Sequence, residues 1–268
     1  AVDPDKRRYG VKEEAPRHYI DLDHYGSHPF DTLPKYWNDA VKGFTEDTLN
    51  AYGIVPWYTV KMLNRLTAAM KEGNTEYILH CAADLGHYVA DAHVPLHCTE
   101  NYNGQMTGQD GIHGFWESRL PELFGSNYDF IVGQAEYIRD PQQYMWNVVR
   151  DSYNAKDSVL LLEAALSRTE TNDEKYSYEQ RGSSTVKVYS EKYSEAYNKM
   201  LNGMVERRMR AAIIAVGSMW FTAWTNAGMP DLNKLSTFEA SDAFRKQMEE
   251  EDKMWRTGKP VNNNGHSD

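Results

Sequence analysis

The sequence predicts an all-α protein, a single-domain bundle of several helices. Apolar residues recur at helical spacing through most of the chain, and Pro, Asn and Gly stand where the periodic segments begin and end. We find no internal repeat and no convincing β-hairpin. With 268 residues, of which 41% are hydrophobic and 25% charged, the composition is that of an ordinary globular protein. A chain of this length can bury a substantial core.

The first half of the chain predicts four helices. Two of them cover residues 36–53 and 56–73, and a third, capped by Asn74 or Thr75, runs to about residue 92. Pro95 ends that helix. After a polar, glycine-rich loop, residues 112–124 form a short amphipathic helix closed by a glycine.

The second half predicts two long helices and a peripheral one. The first begins at Asp140 and Pro141 and runs to about residue 166, and the polar segment TETNDEKYSYEQRGSS follows it. The next covers residues 185–226 and contains AAIIAVGSMWFTAW, whose apolar residues on nearly every face predict the central buried helix. We therefore expect one helical domain over residues 1–235, and a peripheral helix and polar tail over 236–268.

The charge balance limits the partners of the protein. With 29 Lys and Arg against 39 Asp and Glu, the formal net charge is −10. A broad basic surface that holds duplex nucleic acid is therefore not expected, and any nucleic acid would be held locally. Part of the negative charge would be neutralised if carboxylates ligate divalent cations. No apolar run approaches the roughly 20 residues of a membrane span.

Two pairs of residues have the spacing of metal ligands on a helix. In HYVADAHVPLH, His87 and Asp91 are four residues apart and leave the same helix face, and in IHGFWE the residues His113 and Glu117 repeat this spacing. His97 lies between the pairs. Imidazole nitrogen and carboxylate oxygen together suit Zn²⁺. Two pairs and an intervening histidine indicate two metal ions.

The density of histidine strengthens this interpretation. A lone His-x-x-x-Asp pair on a helix is usually a surface hydrogen bond or ion pair. Here five of the nine histidines fall between residues 80 and 113, and both His87 and His113 have a carboxylate four residues later. His80 and His93 belong to this group but are not assigned as ligands, because either one fits an ordinary packed or exposed histidine.

The segment from His87 to His97 resembles the central motif of the superfamily that unites secreted zinc-dependent phospholipases C with single-strand-specific nucleases. These enzymes carry a similar His-x-x-x-Asp-x-His-x-Pro-Leu-His stretch, followed by a His-x-x-x-Asp or Glu pair. They also have an Asp about fifteen residues before a His-aromatic-x-Asp sequence. The corresponding residues here are Asp3 and then His18, Tyr19 and Asp21.

The resemblance implies a helical fold around a cluster of two to three zinc ions. Its ligand sets would be Asp3, His18, His87 and Asp91 for one zinc, and His97, His113 and Glu117 for a second. A third zinc in the family shares the Asp91 position and uses an N-terminal Trp and a nearby His, which this sequence does not contain. We expect a preceding segment to supply them, with a cleaved leader and a secreted or periplasmic location.

The activity implied is hydrolysis of phosphodiester bonds by a metal-bound hydroxide. Asp3 would also orient the attacking water, and Lys6 matches a phosphate-binding Arg of the nucleases. Tyr19 and Asp21 match positions that stack a base and hydrogen-bond its edge, although the phospholipases carry a similar aromatic-x-Asp. Glu at position 117 favours the phospholipases. The substrate is therefore a single-stranded nucleic acid, a nucleotide or a phospholipid, and the protein is expected to be a monomer.

One alternative belongs to another class of protein. The chain could be a helical binding or interaction protein in which zinc is purely structural. A ligand shell closed by four protein side chains, with no position for water, would favour that function.

Overall fold

The computed structural model describes residues 3–233, 235, 238–258 and 266. Over these residues the fold is mainly helical, which confirms the predicted all-α class. The α-helices are α1 (Asp3–Arg7), α2 (Pro29–Thr32), α3 (Trp37–Phe44), α4 (Glu46–Ala51), α5 (Val55–Glu72), α6 (Thr75–Asp91), α7 (Ile112–Gly114), α8 (Leu120–Phe124), α9 (Pro141–Ser167), α10 (Asn172–Lys175), α11 (Glu191–Leu201), α12 (Met204–Asn226) and α13 (Asp242–Thr257). Short 3₁₀ helices cover Ala15–Arg17, Leu22–Tyr25, Pro95–Cys98 and Gly125–Asn127, and a π-helical turn, Phe115–Arg119, joins α7 to α8.

The core is built on helices α5 and α6, which pack along each other, with α9 and α12 against α5. Helix α5 has a proline in its first turn and ends at Gly73, whose φ of 68° is favourable only for glycine. The Asn74 side chain then accepts a hydrogen bond from the backbone of Tyr77 and caps α6. The helices predicted at 56–73 and 75–92 are confirmed.

The single helix predicted over residues 36–53 is wrong. The chain instead forms α3 and α4, which meet at Thr45, where φ is 65°. The Thr45 side chain accepts a hydrogen bond from the backbone of Thr48 and so begins the second helix. Apolar periodicity continues through the break and does not reveal it.

The long helix predicted over residues 185–226 is also wrong, as is the expected absence of a β-hairpin. Strands β1 (Tyr176–Arg181) and β2 (Ser184–Tyr189) pair antiparallel, with Tyr176 opposite Tyr189. Helices α11 and α12 follow, separated by Asn202 and Gly203, which both have positive φ. The strands are largely exposed, so they lack the apolar face that would have revealed them.

Helix α12 is not the central buried helix that its composition predicts. Ala215, Met219 and Ala223 are buried at four-residue spacing and form one inward face, whereas Ile213 and Trp220 are exposed. None of the helices in the described part of the chain is both long and apolar enough to cross a membrane.

The C-terminal region beyond residue 235 contains α13, which packs against α1. Glu251 of α13 is buried and lies 4.0 Å from the guanidinium of Arg7. Most of the predicted polar tail, residues 259–265 and 267–268, lies outside the described residues. His266 is described, and only 3% of its surface is exposed. A residue in a solvated polar tail would be largely exposed.

Candidate metal centre

Four side chains converge to form the first ligand group. His18 follows the 3₁₀ turn that ends at Arg17, and His87 and Asp91 leave the last turns of α6 on one face. Asp91 Oδ2 lies 2.9 Å from His18 Nδ1 and 3.2 Å from His87 Nε2, and these two nitrogens are 3.1 Å apart. The fourth member, Asp5, places Oδ1 3.4 Å from His87 Nε2 and 3.6 Å from His18 Nδ1.

These separations are those of donor atoms around one ion. Ligands 2.0–2.1 Å from a tetrahedral zinc stand about 3.3 Å from one another. The five separations just given range from 2.9 to 3.6 Å. The first group can therefore hold a zinc ion with little movement of its side chains.

The carboxylate of α1 in this group is Asp5, whereas the sequence spacing pointed to Asp3. Asp3 instead lies 3.7 Å from Lys6 Nζ, one turn along the same short helix. Among the described residues, Asp5 lies with His18 and His87 in a set whose donor atoms are close enough to hold a metal ion, and Asp3 does not belong to this set. Asp5 thus replaces Asp3 as the candidate ligand.

The second ligand group contains His97, His113 and Glu117. His97 lies in the 3₁₀ turn after Pro95, and the other two lie on α7 and the π turn that continues it. The Nε2 atoms of His97 and His113 are 3.0 Å apart, and Glu117 Oε2 is 2.8 Å from His113 Nε2 and 3.5 Å from His97 Nε2. The predicted second set is brought together in full, with three protein donors.

Hydrogen bonds orient the histidines and join the two groups. His97 Nδ1 lies 2.8 Å from the carbonyl oxygen of His18. Because a carbonyl only accepts, Nδ1 carries the proton, and Nε2 presents its lone pair to the second group. The Glu14 carboxylate lies 3.6 Å from His18 Nε2, on the side of the ring opposite the ligand group. The peptide of His18 therefore fixes one group relative to the other.

The electrostatics of both groups favour a bound cation. Burial lowers the pKa of His87, but the carboxylates of Asp91 and Asp5 outweigh it and raise that pKa to about 11. Burial would raise the pKa of Glu117, yet hydrogen bonds from His113 and His97 hold it below its usual range. Burial would also raise the pKa of Asp91, but the charge of His87 and hydrogen bonds from His18 and His87 lower it. Both groups thus contain ionised carboxylates, and in the first group a metal ion would take the place of the proton that His87 holds.

Two basic residues near the start of the chain, Lys6 and Arg8, have different surroundings. Lys6 donates a hydrogen bond to Asp252 at 2.8 Å and lies over the ring of Trp255, so α13 engages it. Arg8 is buried. Burial raises the pKa of Tyr19 and lowers that of His266, and the positive charge of Arg8 lowers the pKa of both, so this charge acts on the two rings.

An aromatic slot lies beside the second ligand group. We use this name for the space between the rings of Tyr19 and Tyr102, where the imidazole of His266 is stacked at 4.1 Å from each ring centroid. His266 Nε2 lies 2.8 Å from Asp21 Oδ1. The His97 and His113 rings meet the His266 ring edge to face, at 5.8 and 6.4 Å. Tyr19 and Asp21, predicted to bind substrate, are thus brought together in the slot.

Sequence reasoning missed Asp5, Tyr102 and His266, and within the basic run of residues 6–8 it chose Lys6 rather than Arg8. Asp5 could have been proposed from the sequence, because it is an acidic residue two positions after Asp3. Arg8 could have been chosen as well, because it belongs to the same basic run, KRR, as Lys6. Tyr102 lies in a loop without periodicity, and His266 is 245 residues from its partner Asp21. No local pattern signals either of them.

Comparisons of the chain with protein-family models, curated protein sequences and solved structures find no match. The geometry itself defines a candidate metal centre with two ligand groups. The first group offers four protein donors and the second offers three. Beside the second group, the aromatic slot provides a binding position for a flat ring.

Proposed function

We propose that the chain is a zinc-dependent phosphodiesterase that acts on single-stranded nucleic acid or nucleotides. The observation that carries the proposal is the pair of ligand groups, whose donor atoms have the separations of a zinc shell and are linked through the peptide of His18. Zinc bound there would polarise a phosphoryl oxygen and lower the pKa of a water molecule.

The second ligand group is the one suited to chemistry. Its three protein donors leave a fourth position for water or substrate, which is typical of catalytic zinc sites and absent from structural ones. Each group also has one carboxylate that reaches solvent, since the side chains of Asp5 and Glu117 are 40% and 38% exposed. Substrate would reach the zinc ions past these exposed carboxylates, and Asp5 would take the role first assigned to Asp3, to orient the attacking water.

Arg8 would hold the phosphoryl group. Its positive charge lowers the pKa values of Tyr19 and His266, whose rings belong to the slot next to the second ligand group, so the charge acts at this slot. A fixed cation at this position stabilises negative charge that develops on a phosphoryl oxygen. Lys6, which is engaged by Asp252, is not needed for this function.

The aromatic slot favours a nucleotide over a lipid. Its two tyrosine rings lie nearly parallel to the ring between them, at interplanar angles of 16° and 11°, and so form two walls that fit a flat ring. Stacking on aromatic rings is the usual sequence-tolerant way to hold single strands. Asp21 can accept a hydrogen bond from the edge of a base. A base in this slot would place its attached phosphate near the zinc ligands His97 and His113.

The test offers the zinc-loaded protein four substrates: single-stranded DNA, a DNA duplex, a 3′-nucleotide and a short-chain phosphatidylcholine. We expect the DNA to be cut and a duplex to be spared, since only unstacked bases can enter the slot. His97→Ala should abolish cleavage, whereas substitution of the exposed His28 by Ala should leave it unchanged. Cleavage of phosphatidylcholine alone would assign a phospholipase. No hydrolysis with zinc in place would favour the alternative, a binding protein with structural zinc.

A further inference from the structure

The aromatic slot already contains a ring of the protein itself. The His266 imidazole is stacked between Tyr19 and Tyr102, and its Nε2 is within hydrogen-bond distance of Asp21. All three contacts are those that a nitrogen heterocycle in the slot would make. Tyr19 is only 1% exposed with His266 in place, so its ring is closed to an incoming substrate.

We propose that His266 is an internal ligand of the aromatic slot and that a substrate base must displace it to bind. This inference rests on the proposed function, because it concerns the position assigned to the base. His266 lies far from the slot residues in sequence and reaches them from the C-terminal side of α13. Its substitution leaves the identity of the slot residues Tyr19, Asp21 and Tyr102 unchanged.

The contacts of His266 suit a displaceable ligand rather than a core residue. Its Nδ1 is buried without a hydrogen-bond partner among the described residues. Burial of a polar atom without a hydrogen-bond partner costs free energy. This cost offsets part of the stabilisation that His266 gains by stacking on the two tyrosine rings. A base that stacks equally well and also satisfies its polar atoms would bind in preference.

The competition has a measurable consequence. If the slot is open in only a fraction of the molecules, the apparent affinity for a base falls by that fraction. An open population of roughly one tenth weakens binding about tenfold. His266→Ala should remove this competition, and the affinity for a base should then rise by about that factor.

The experiment measures binding of adenosine to the zinc-loaded full chain by isothermal titration calorimetry. We expect His266→Ala to bind adenosine roughly tenfold more tightly than the wild type, because the slot is then always open. His28→Ala is the matched control, an exposed histidine outside the slot, and should bind as the wild type does. Equal affinities of wild type and His266→Ala, or no binding to either, would overturn the proposal. A loss of zinc from His266→Ala would also overturn it, since His266 would then be a metal ligand.

A second measurement uses the wild type alone and does not depend on how a variant folds. In a spectrum of histidine-labelled protein, the ring protons of His266 should be shifted upfield by the two tyrosine rings. Saturating adenosine should return them toward the position of an exposed histidine. Unchanged shifts at saturation would overturn the proposal. Neither measurement uses hydrolysis, so a protein that passes both tests but cuts no diester would refute the proposed activity alone.

Discussion

Replacing Asp5 by Asn tests which carboxylate of α1 belongs to the first ligand group. Asn keeps the size of the side chain but removes the charge of an oxygen that lies 3.4 Å from His87 Nε2 and 3.6 Å from His18 Nδ1. Loss of a residue that only supports a metal ligand already weakens metal binding about 10–100-fold. Loss of a ligand should cost more, so we expect a decrease above roughly 100-fold, or ~2.7 kcal/mol.

The matched control is Asp3→Asn, two residues away on the same helix. Asp3 pairs with Lys6, and a partly exposed ion pair of this kind contributes about 1 kcal/mol or less to stability. The assay titrates zinc into metal-free protein against a fluorescent chelator of known affinity. Wild type and Asp3→Asn should bind two zinc ions tightly, and Asp5→Asn only one. If Asp3→Asn instead bound only one zinc ion tightly and Asp5→Asn bound two, the assignment of Asp5 as the α1 ligand would be refuted.

Three further predictions concern stability. Burial and the nearby charge of Asp23 raise the pKa of Asp21 from 3.8 to about 8, so the folded state favours the neutral carboxyl. The stabilisation from this neutral Asp21 is fully present below pH 3.8 and is lost by pH 8. Between pH 6 and 8, the free energy of unfolding measured with denaturant should fall by ~2 kcal/mol more in the wild type than in Asp21→Asn. The same pH dependence of this free energy in both proteins would contradict the prediction. In Gly53→Ala the new Cβ would lie 2.2 Å from the carbonyl oxygen of Tyr19, so the free energy of unfolding should fall by roughly 2–4 kcal/mol. Gly73 also has a positive φ but open space around it, so Gly73→Ala should lower the free energy of unfolding by only about 1–2 kcal/mol. Equal losses in Gly53→Ala and Gly73→Ala would argue against the clash with Tyr19. Zinc at about 1,000 times its dissociation constant should stabilise the fold by ~4 kcal/mol and raise Tm by roughly 8–16 °C, and an unchanged Tm in calorimetry would argue against specific binding.

Much of the candidate site could be predicted because its ligands come in helical pairs. His87 and Asp91 lie on one face of α6 because they are four residues apart, and His113 and Glu117 remain close across the junction of α7 and the π-helical turn. The α1 carboxylate has no such constraint. The chain turns between α1 and the 3₁₀ helix at Ala15, and the geometry of that turn decides whether Asp3 or Asp5 reaches His18.

The fold was predictable to the extent that periodicity and capping residues agree. Helices α5, α6 and α9 have both and were predicted within two residues. The hairpin of β1 and β2 was missed because its strands are polar and mostly exposed. Helix breaks at Thr45 and Asn202 depend on backbone conformations with positive φ in residues other than glycine, which sequence patterns do not reveal.

The aromatic slot shows the limit of reasoning from local sequence. Its residues Tyr19 and Asp21 are neighbours, but Tyr102 lies in an irregular loop and His266 follows the last helix. Only the tertiary structure brings these rings together. Contacts over such sequence separations carry no periodic signal that could be detected beforehand.

The most direct test of the central claim is a zinc titration of the metal-free protein with single-stranded DNA cleavage as the readout. With two linked ligand groups, we expect no cleavage without zinc and a rise in cleavage as zinc binds. Cleavage should reach its maximum at two ions per chain, or at three if a further site is present. His97→Ala should remain inactive at every zinc concentration. Full cleavage without zinc, or no cleavage of any phosphodiester with two ions bound, would contradict a zinc-dependent phosphodiesterase.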